Sequence, residues 1–184
     1  MKKTALILID IQNDYFQGGA LPLVGAEQSA AKSSDLLALY RANKQPIIHI
    51  QHETIDPSRG FMLPETKGQK IHDLVAPSGD ETVFTKHYPN SFWLTGLESY
   101  LKERDIQHIV LAGMMTHMCV SATARVGMER GFQVTLMKDA CATKALELEG
   151  EIIDAEIVHK TALAELTLFA DIKTTQQFME ATSR

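Results

Sequence analysis

A short aliphatic run near the start of the chain constrains the fold more than any other feature. Residues 5–9 are all apolar, without the alternation of apolar and polar residues that a half-buried strand shows. A strand that is apolar on both faces is typical of a parallel sheet covered by helices on both sides. The run ends at Asp10, so a carboxylate stands directly after this predicted strand.

The rest of the chain alternates short apolar runs with helical patterns. We predict further strands at residues 47–50, 82–85, 108–112, 132–137 and 166–170, and helices at residues 26–42, 93–102, 116–130, about 146–161 and 175–181. This alternation predicts an α/β fold with three α/β/α layers and a six-stranded, mostly parallel sheet in the order 3-2-1-4-5-6. A length of 184 residues fits one domain over residues 1–184.

Composition excludes several classes of protein. Two cysteines, Cys119 and Cys141, are too few for a disulfide scaffold and favour a reducing compartment. The formal charge of −5, without a run of Lys or Arg, makes nucleic acid an unexpected partner. The apolar stretch after Met1-Lys2-Lys3 is too short for a signal peptide, and no run has the length of a membrane span. We expect a cytoplasmic protein with no membrane partner.

Reactive side chains follow three of the predicted strands. Asp10 follows the first strand, Lys86 follows the third, and Cys119 lies where the fourth strand leads into a helix. The carboxyl ends of parallel strands share one edge of a sheet, where ligands bind. In the predicted order, Asp10 lies beside Cys119, and Lys86 starts two strands away, at roughly 9–10 Å. A lysine side chain spans part of that gap.

These residue types suit nucleophilic catalysis. We expect the helix start to lower the pKa of Cys119, Asp10 to accept the thiol proton and Lys86 to hold both charges. Backbone N–H groups in the turn would bind an oxyanion. Each residue alone also fits a structural role, as a buried small residue, a turn former or a surface cation. Only their shared edge favours a thiol hydrolase, and other α/β proteins with polar residues at this edge stay open.

Four segments resemble the isochorismatase-like cysteine hydrolases. They are residues 6–14, 86–92, 112–120 and 134–142, in the order and spacing of that family, and the resemblance extends over nearly the whole chain. The resemblance implies Asp10 as general base, Lys86 as its charge partner and Cys119 as the nucleophile that forms a thioester.

The same resemblance implies further features of the site. A cis peptide bond would join Met114 and Met115, and the backbone N–H groups of Met115 and Cys119 would form the oxyanion hole. Family members commonly associate, so a homo-oligomer, a dimer or higher, is expected.

Two departures from family patterns bear on the substrate. Nicotinamidases of this superfamily carry an Asp-x-His pair and a further histidine that bind a metal, whereas this chain has Gln51-His52-Glu53. We therefore expect no metal and no cofactor, although His52 and His72 stay open as ligands. Isochorismatases cleave a vinyl ether without requiring a cysteine, so Cys119 favours hydrolysis of an amide C–N bond. A vinyl ether hydrolase and a silent binding domain remain alternatives.

The substrate pocket is expected near these residues and to take a small, partly apolar molecule. Its candidate wall residues are Gln12, Asn13, Phe16, His52, Ser91, Phe92, Trp93 and His117. Each also fits a structural role, such as core packing, loop hydrogen bonding or, for Trp93, a subunit contact. Cys141 follows the predicted fifth strand and fits a buried small residue better than a resolving thiol.

Overall fold

The computed structural model describes residues 3–182, so Met1 and Lys2 of the basic amino terminus and the last two residues lie outside the described residues. The strands are β1 (Thr4–Ile9), β2 (Ile47–His52), β3 (Thr82–Lys86), β4 (His108–Met114), β5 (Gln133–Ala142), β6 (Leu146–Leu148), β7 (Glu151–Ile153) and β8 (Asp171–Lys173). The helices are α1 (Ala26–Ala42), α2 (Leu97–Glu103), α3 (Ser121–Glu129), α4 (Ala155–Leu166) and α5 (Thr175–Thr182). Within residues 3–182, no helix is long and apolar enough to cross a membrane.

Six strands form one parallel sheet in the order β3-β2-β1-β4-β5-β8. This confirms the predicted α/β architecture and strand order. The sixth strand of the sheet is the eighth of the chain because β6 and β7 intervene as a separate hairpin. The strand order reverses at β1, and sheets of this kind open a crevice at the carboxyl ends of the strands where that happens.

The side chains of β1 pack into two cores, one on each face of the sheet. Leu6 and Leu8 belong to the core that includes residues of α1, whereas Ile7 and Ile9 belong to the core that includes residues of α2, α3 and α4. All five residues of the aliphatic run are at most 2% exposed. Burying each large aliphatic side chain stabilises the fold by about 1.5–3 kcal/mol. Burial on both faces therefore explains why the run does not alternate.

Residues 146–161 do not form the single helix that the sequence pattern predicts. The structure has the antiparallel hairpin of β6 and β7, followed by α4. Glu149 and Gly150 connect the two strands with positive φ angles of 53° and 85°. Two successive residues with positive φ are typical of a tight hairpin turn, in which glycine is favoured at the second position. Gly150 was therefore the sequence signal for a hairpin.

The last strand of the sheet lies further along the chain than predicted. α4 continues to Leu166, a fully buried core residue, so the predicted strand at residues 166–170 is wrong. The strand begins at Asp171, which pairs with Thr135 of β5. A short apolar run fits the end of a helix as well as a strand, so periodicity does not separate the two.

Other boundaries differ from the prediction as well, and three of them bear on the site. α2 begins at Leu97, because the residues from 91 to 96 form turns. The helix predicted from residue 116 starts with a π-helical turn, Thr116–Val120, which continues into α3. β5 is longer than predicted, so Cys141 lies within this strand and not after it.

Gly113 allows β4 to approach β1 closely. A Cβ atom at this position would lie 2.0 Å from the carbonyl oxygen of Ile9, the residue it pairs with on β1. Its φ angle is +133°, which side chains of L residues rarely permit. The two strands that carry the site therefore pair in this register only with glycine at residue 113.

We expect Gly113→Ala to destabilise the protein by about 3 kcal/mol or more, because the new methyl group overlaps the Ile9 carbonyl. Gly131→Ala is the matched control, since Gly131 has a φ of +87° but a Cβ there would meet no atom within 4 Å. That variant should lose only about 1–2 kcal/mol from backbone strain. Urea unfolding measures both values, and equal losses would contradict the close-approach argument.

A partly buried ion network joins α1 and β2 to the segment before β3. Glu81 accepts hydrogen bonds from Arg41 Nε at 2.6 Å and Nη2 at 2.9 Å, and its Oε2 lies 2.9 Å from Nε2 of the buried His49. Burial raises the pKa of Glu81, but the hydrogen bonds from Arg41 and His49 outweigh it and lower the pKa to about 2. Folding therefore stabilises the ionised form of Glu81 relative to its neutral form.

This shift makes stability depend on pH in the acid range. A carboxyl group whose pKa falls on folding stabilises the fold above its unfolded pKa of 4.5, and that contribution is lost as the pH falls toward the folded value of about 2. We expect Glu81→Gln to remove roughly 2–3 kcal/mol of the acid-induced loss that the wild type shows in urea unfolding below about pH 5. Glu156→Gln, which removes an exposed pair with Lys160, is the control. If Glu81→Gln loses as much unfolding free energy in acid as the wild type does, Glu81 is not the source of that loss.

Candidate active site

Three reactive side chains meet at the carboxyl edge of the sheet. Asp10 follows β1, Lys86 is the last residue of β3, and Cys119 lies in the π-helical turn after β4. Their exposed fractions are 0%, 1% and 6%. The structure thus brings together the three residues that the sequence pattern assigned to one edge.

Lys86 is the centre of this cluster. Its Nζ donates hydrogen bonds to Asp10 Oδ2 at 2.7 Å, to His52 Nδ1 at 3.2 Å and to Cys119 Sγ at 3.3 Å. An ammonium group has three hydrogens, so these acceptors use its full capacity. Burial lowers the pKa of Lys86, but Asp10 and Cys119 raise it by more, and the net pKa lies above its ordinary value. Lys86 is therefore a cation at neutral pH.

Asp10 has one carboxylate oxygen without a partner. Oδ2 accepts the bond from Lys86, whereas Oδ1 is buried and has no hydrogen-bond partner among residues 3–182. Leaving a buried acceptor unsatisfied costs about 1–3 kcal/mol, and such groups call for a functional explanation. Oδ1 has the chemistry of a proton acceptor, and the Asp10 side chain lies close enough to Cys119 for its charge to raise the pKa of the thiol.

The pKa of Cys119 differs from the prediction. The sequence pattern predicts a pKa lowered by the helix start, but burial and the charge of Asp10 raise it above the ordinary value, while Lys86 lowers it. The net shift is upward because a thiolate loses more from desolvation than one cation and one helical turn return. At neutral pH the resting thiol is protonated, so forming the nucleophile requires a proton acceptor within reach.

The turn that carries Cys119 has an unusual backbone. Val120 N donates to Met115 O at 3.3 Å, a spacing of five residues that defines the π-helical turn. The peptide bond between Met114 and Met115 is cis. Both Met115 and Cys119 line the cavity described below.

Hydrogen bonds anchor this turn to the neighbouring elements. Thr116 Oγ1 donates to Ala142 O of β5 at 3.2 Å and lies 2.9 Å from His159 Nδ1 of α4. His117 Nδ1 lies 2.6 Å from Thr143 Oγ1. His117, a predicted pocket residue, therefore holds the turn against the segment after β5.

The side chain of Gln12 fixes the backbone of His52. The Gln12 amide nitrogen donates to His52 O at 2.8 Å, and its oxygen accepts from His52 N at 2.7 Å. The same nitrogen donates to Gln69 O at 2.6 Å. Gln12 is fully buried, and it ties the end of β2 and the following loop to the segment after β1. The imidazole of His52 is thereby held against Lys86.

A cavity of about 530 Å³ opens beside Cys119. This volume is in the range of small-molecule sites. Of the three reactive residues, Cys119 lines the cavity. The rest of the wall comes from Tyr15, from the turn after β4, from His52 and the long segment between β2 and β3, and from residues that follow β3. The last two groups include Thr54, Ile55, Asp56, Arg59, Phe61, His87 and Tyr88. The long proline- and glycine-containing segment therefore forms one side of the cavity.

His52 is the one predicted pocket residue, among those the structure describes, that lines this cavity. Gln12 and His117 make the hydrogen bonds described above. Asn13 and Phe16 line a second cavity of about 260 Å³. The predicted wall residues near Asp10 thus face a different space, because the chain turns directly after β1.

The predicted pocket residues after β3 also lie elsewhere. Ser91 is buried and accepts a hydrogen bond from Thr123 of α3 at 2.8 Å. Phe92 stacks on Phe132 in the core, with ring centroids 5.9 Å apart. Trp93 is 54% exposed. These side chains fasten the turns before α2 or face solvent, and they do not border the cavity at Cys119.

Asp14 determines the path of the segment that forms the cavity wall. Its carboxylate accepts hydrogen bonds from the backbone N–H groups of Met62 and Ala20. Gly68 packs against it so closely that a Cβ atom there would lie 2.0 Å from Asp14 Oδ1. The buried carboxylate of Asp14 and the side chain of Gln12 therefore hold the segment after β2 together.

Tyr15 and Arg59 are cavity residues that the sequence analysis missed. Tyr15 is 2% exposed; burial raises its pKa well above the ordinary value, and the charges of Cys119 and Asp10 raise it further. Its place five residues after Asp10 was the available signal. Arg59 lies in a loop without periodic pattern, so no sequence signal separates it from other surface cations.

No group of three or more His, Cys, Asp or Glu side chains within residues 3–182 is arranged to hold a metal ion. Nδ1 of His52 accepts from Lys86. Nδ1 of His72 accepts from Leu74 N at 3.3 Å, and its ring stacks on Phe16. Both histidines considered as ligands therefore have one ring nitrogen engaged in a hydrogen bond.

Residues 4–177 match the family model of the isochorismatase domain. The chain is similar to the uncharacterized isochorismatase family protein YddQ of Bacillus subtilis, with 42% identity over 96% of this chain and 99% of that protein. It is 39% identical to the secreted isochorismatase effector Isc1 of Verticillium dahliae over 89% of this chain and 83% of that protein. A solved isochorismatase structure from Pseudomonas putida superposes with a TM-score of 0.89 at 30% identity, over 96% and 91% of the two chains. On this fold and this similarity, the chain belongs to the isochorismatase family of hydrolases.

Proposed function

We propose that this chain is a cysteine hydrolase that cleaves the C–N bond of a small amide through a thioester acyl-enzyme. The observation that carries the proposal is the buried contact of Lys86 with both a carboxylate, Asp10, and a thiol, Cys119. A base and a nucleophile that share one cation form the arrangement that activates a weak nucleophile. The adjoining cavity supplies room for a small substrate.

The first half of the reaction forms the thioester. Asp10 takes the proton of Cys119, and Sγ attacks the amide carbonyl carbon. The N–H groups of Met115 and Cys119 bind the resulting oxyanion, a contribution worth about 10²–10³ in rate for one donor. Asp10 then returns the proton to the leaving nitrogen, the C–N bond breaks and the amine departs.

The second half releases the acid. Asp10 takes a proton from water, and the hydroxide attacks the thioester carbonyl. The C–S bond breaks, the carboxylic acid leaves, and Cys119 recovers its proton from Asp10. Lys86 keeps its three hydrogen bonds to the cluster and stabilises the thiolate that leaves. One carboxylate therefore serves as base in both halves of the reaction, which agrees with its unpartnered oxygen.

Two named relatives support an amide as the substrate. The chain is 32% identical to streptothricin hydrolase of Streptomyces noursei over 82% of its own length and 53% of that protein. It is 28% identical to maleamate amidohydrolase of Pseudomonas putida over 75% of this chain and 71% of that protein. Amide hydrolysis by a chain of this family is thus the chemistry that the cluster at Cys119 fits best.

Intact-mass analysis tests the covalent intermediate. Incubation with a library of small amides should add one acyl group to the wild type, and the added mass identifies that group. Cys119→Ala should show neither adduct nor turnover, because the carbon–sulfur bond cannot form. Cys141→Ala is the matched control, since Cys141 lies in β5 and burial raises its pKa to about 12. Amide turnover that persists in Cys119→Ala would refute the thioester intermediate, and an inert Cys119 without turnover of any amide would favour a binding domain.

Asp10→Asn tests the proton acceptor. We expect kcat to fall by about 10²–10⁴, because the side-chain amide cannot accept the thiol proton. A general base acts on the rate of acylation, so single-turnover kinetics with quenched intact mass should show the loss in that step. Thermal unfolding of the variant controls for folding. Acylation at the wild-type rate would refute the role of Asp10.

A further inference from the structure

One cation on the cavity wall has no carboxylate partner. Arg59 lines the cavity at Cys119. The other four arginines within residues 3–182 each lie within 4.0 Å of a carboxylate oxygen, whereas Arg59 does not. A guanidinium is charged at every physiological pH and binds carboxylates through two parallel hydrogen bonds. Its charge is available to a ligand.

The acidic residue of the same turn, Asp56, feels the charge of Arg59, which helps to lower the pKa of its carboxyl group, but it forms no ion pair with Arg59 within residues 3–182. Asp56 lies on the same short turn and also lines the cavity, but its carboxylate caps the turn by accepting the Ser58 N–H at 3.0 Å. Asp56 is exposed to water. Water and salt weaken the attraction between exposed charges. Arg59 is exposed as well, and its guanidinium hydrogens are available to an anion that enters the cavity.

His52 offers a second hydrogen-bond donor from the same wall. A lysine ammonium only donates, so Nδ1 of His52 must accept from Lys86 and the ring hydrogen must sit on Nε2. Nε2 has no acceptor among residues 3–182, and His52 lines the cavity. Burial and the charge of Lys86 lower the pKa of His52 to about 4, so the ring is neutral and this tautomer persists at neutral pH. Arg59 also lowers this pKa, which is consistent with both donors lying on one side of the cavity.

We propose that the cavity selects amides that also carry a carboxylate, which His52 Nε2–H and the Arg59 guanidinium bind while the amide carbonyl lies at Cys119. The apolar side chains of Ile55, Phe61 and Met118 line the cavity as well and suit a short hydrocarbon link between the two groups. This inference rests on the proposed amide hydrolysis for its choice of reactive group. The selection of an anion rests only on Arg59 and His52 of the cavity wall and does not depend on the proposed reaction.

Matched substrates test the selection. Monoamides of linear dicarboxylic acids with three to six carbons are compared with the diamides of the same acids. At the chain length that is hydrolysed best, we expect kcat/KM to be at least tenfold higher for the monoamide, which carries a carboxylate, than for the diamide. Arg59→Gln should lower that preference about tenfold, mainly through KM, because one charge-assisted hydrogen-bonded pair is lost. Arg59→Lys should keep part of it. The control is Lys32→Gln, which also removes one positive charge, but from an exposed side chain on α1.

His52→Asn separates the two roles of the imidazole. The asparagine oxygen can still accept from Lys86, but nothing replaces the donor at Nε2. We expect the preference for the acid over the diamide to fall by several fold, a change that a purely structural role would not produce. Nitrogen-15 NMR of the wild type should show the hydrogen on Nε2. A hydrogen on Nδ1 would overturn this part of the proposal.

Alkylation of Cys119 tests anion selection without amide turnover. Iodoacetate and iodoacetamide are nearly equal in size and differ in charge, and both form a bond from Sγ to carbon as iodide leaves. Arg59→Gln should lower the ratio of the iodoacetate rate to the iodoacetamide rate by several fold, and Lys32→Gln should not.

An unchanged ratio with diamides hydrolysed as fast as the acids would overturn anion selection and leave the hydrolase intact. A lowered ratio without an acyl-enzyme would overturn the amide hydrolase and support the anion site. A Cys119 that reacts with neither reagent and no amide would overturn both.

Discussion

The ion pair between Lys86 and Asp10 is the interaction on which the site depends. Both side chains are fully buried. Taking two charges out of water costs several kcal/mol for each ion, and their attraction offsets this only when the remaining hydrogen-bonding groups are satisfied. Lys86 meets that condition through its three acceptors, whereas Asp10 Oδ1 does not. The unsatisfied group is the oxygen that the proposed reaction needs as a base.

The strand order explains why a long side chain such as lysine is needed to reach Asp10. It also explains where the third hydrogen-bond acceptor of Lys86 comes from. β2 lies between β3, which carries Lys86, and β1, which leads to Asp10. Neighbouring strands are about 4.8 Å apart, so a side chain from β3 must cross β2 to reach Asp10. His52 pairs directly with Lys86 in the register of β2 and β3. The strand that the lysine crosses therefore supplies the acceptor for its remaining hydrogen.

The sequence predicted the features that depend on regular strands. The continuous apolar run of residues 5–9 predicted a strand buried on both faces, and placing reactive residues at strand ends brought Asp10, Lys86 and Cys119 to one edge. Parallel sheets make such predictions possible because all strand ends share an edge. The hairpin around Gly150 was missed because its apolar residues also fit a helical period.

The cavity wall could not be predicted in the same way. Its residues come largely from the segment after β2, whose path depends on hydrogen bonds to distant side chains such as Asp14 and Gln12. Those bonds link residues about 40 to 60 positions apart and leave no local pattern. The predicted wall residues instead came from segments next to the reactive groups, and most of them became anchors. Residues close in sequence to a reactive residue therefore mostly hold the backbone of the site in place, and few of them line the cavity.

Burial also changes what makes the cysteine reactive. Both thiols of this chain are buried, and burial raises the pKa of each above its ordinary value. In the proposed reaction, the nucleophile therefore forms from a protonated thiol and not from a standing thiolate. The difference between the two thiols lies in their neighbours. Cys119 has a cation, Lys86, and a carboxylate, Asp10, whose Oδ1 has no hydrogen-bond partner within residues 3–182, whereas Cys141 lies within β5. Oxidation proceeds from the thiolate, so a buried thiol with a raised pKa is protected from it. The same burial that makes the ion pair costly thus protects the thiol that the proposed reaction uses as its nucleophile.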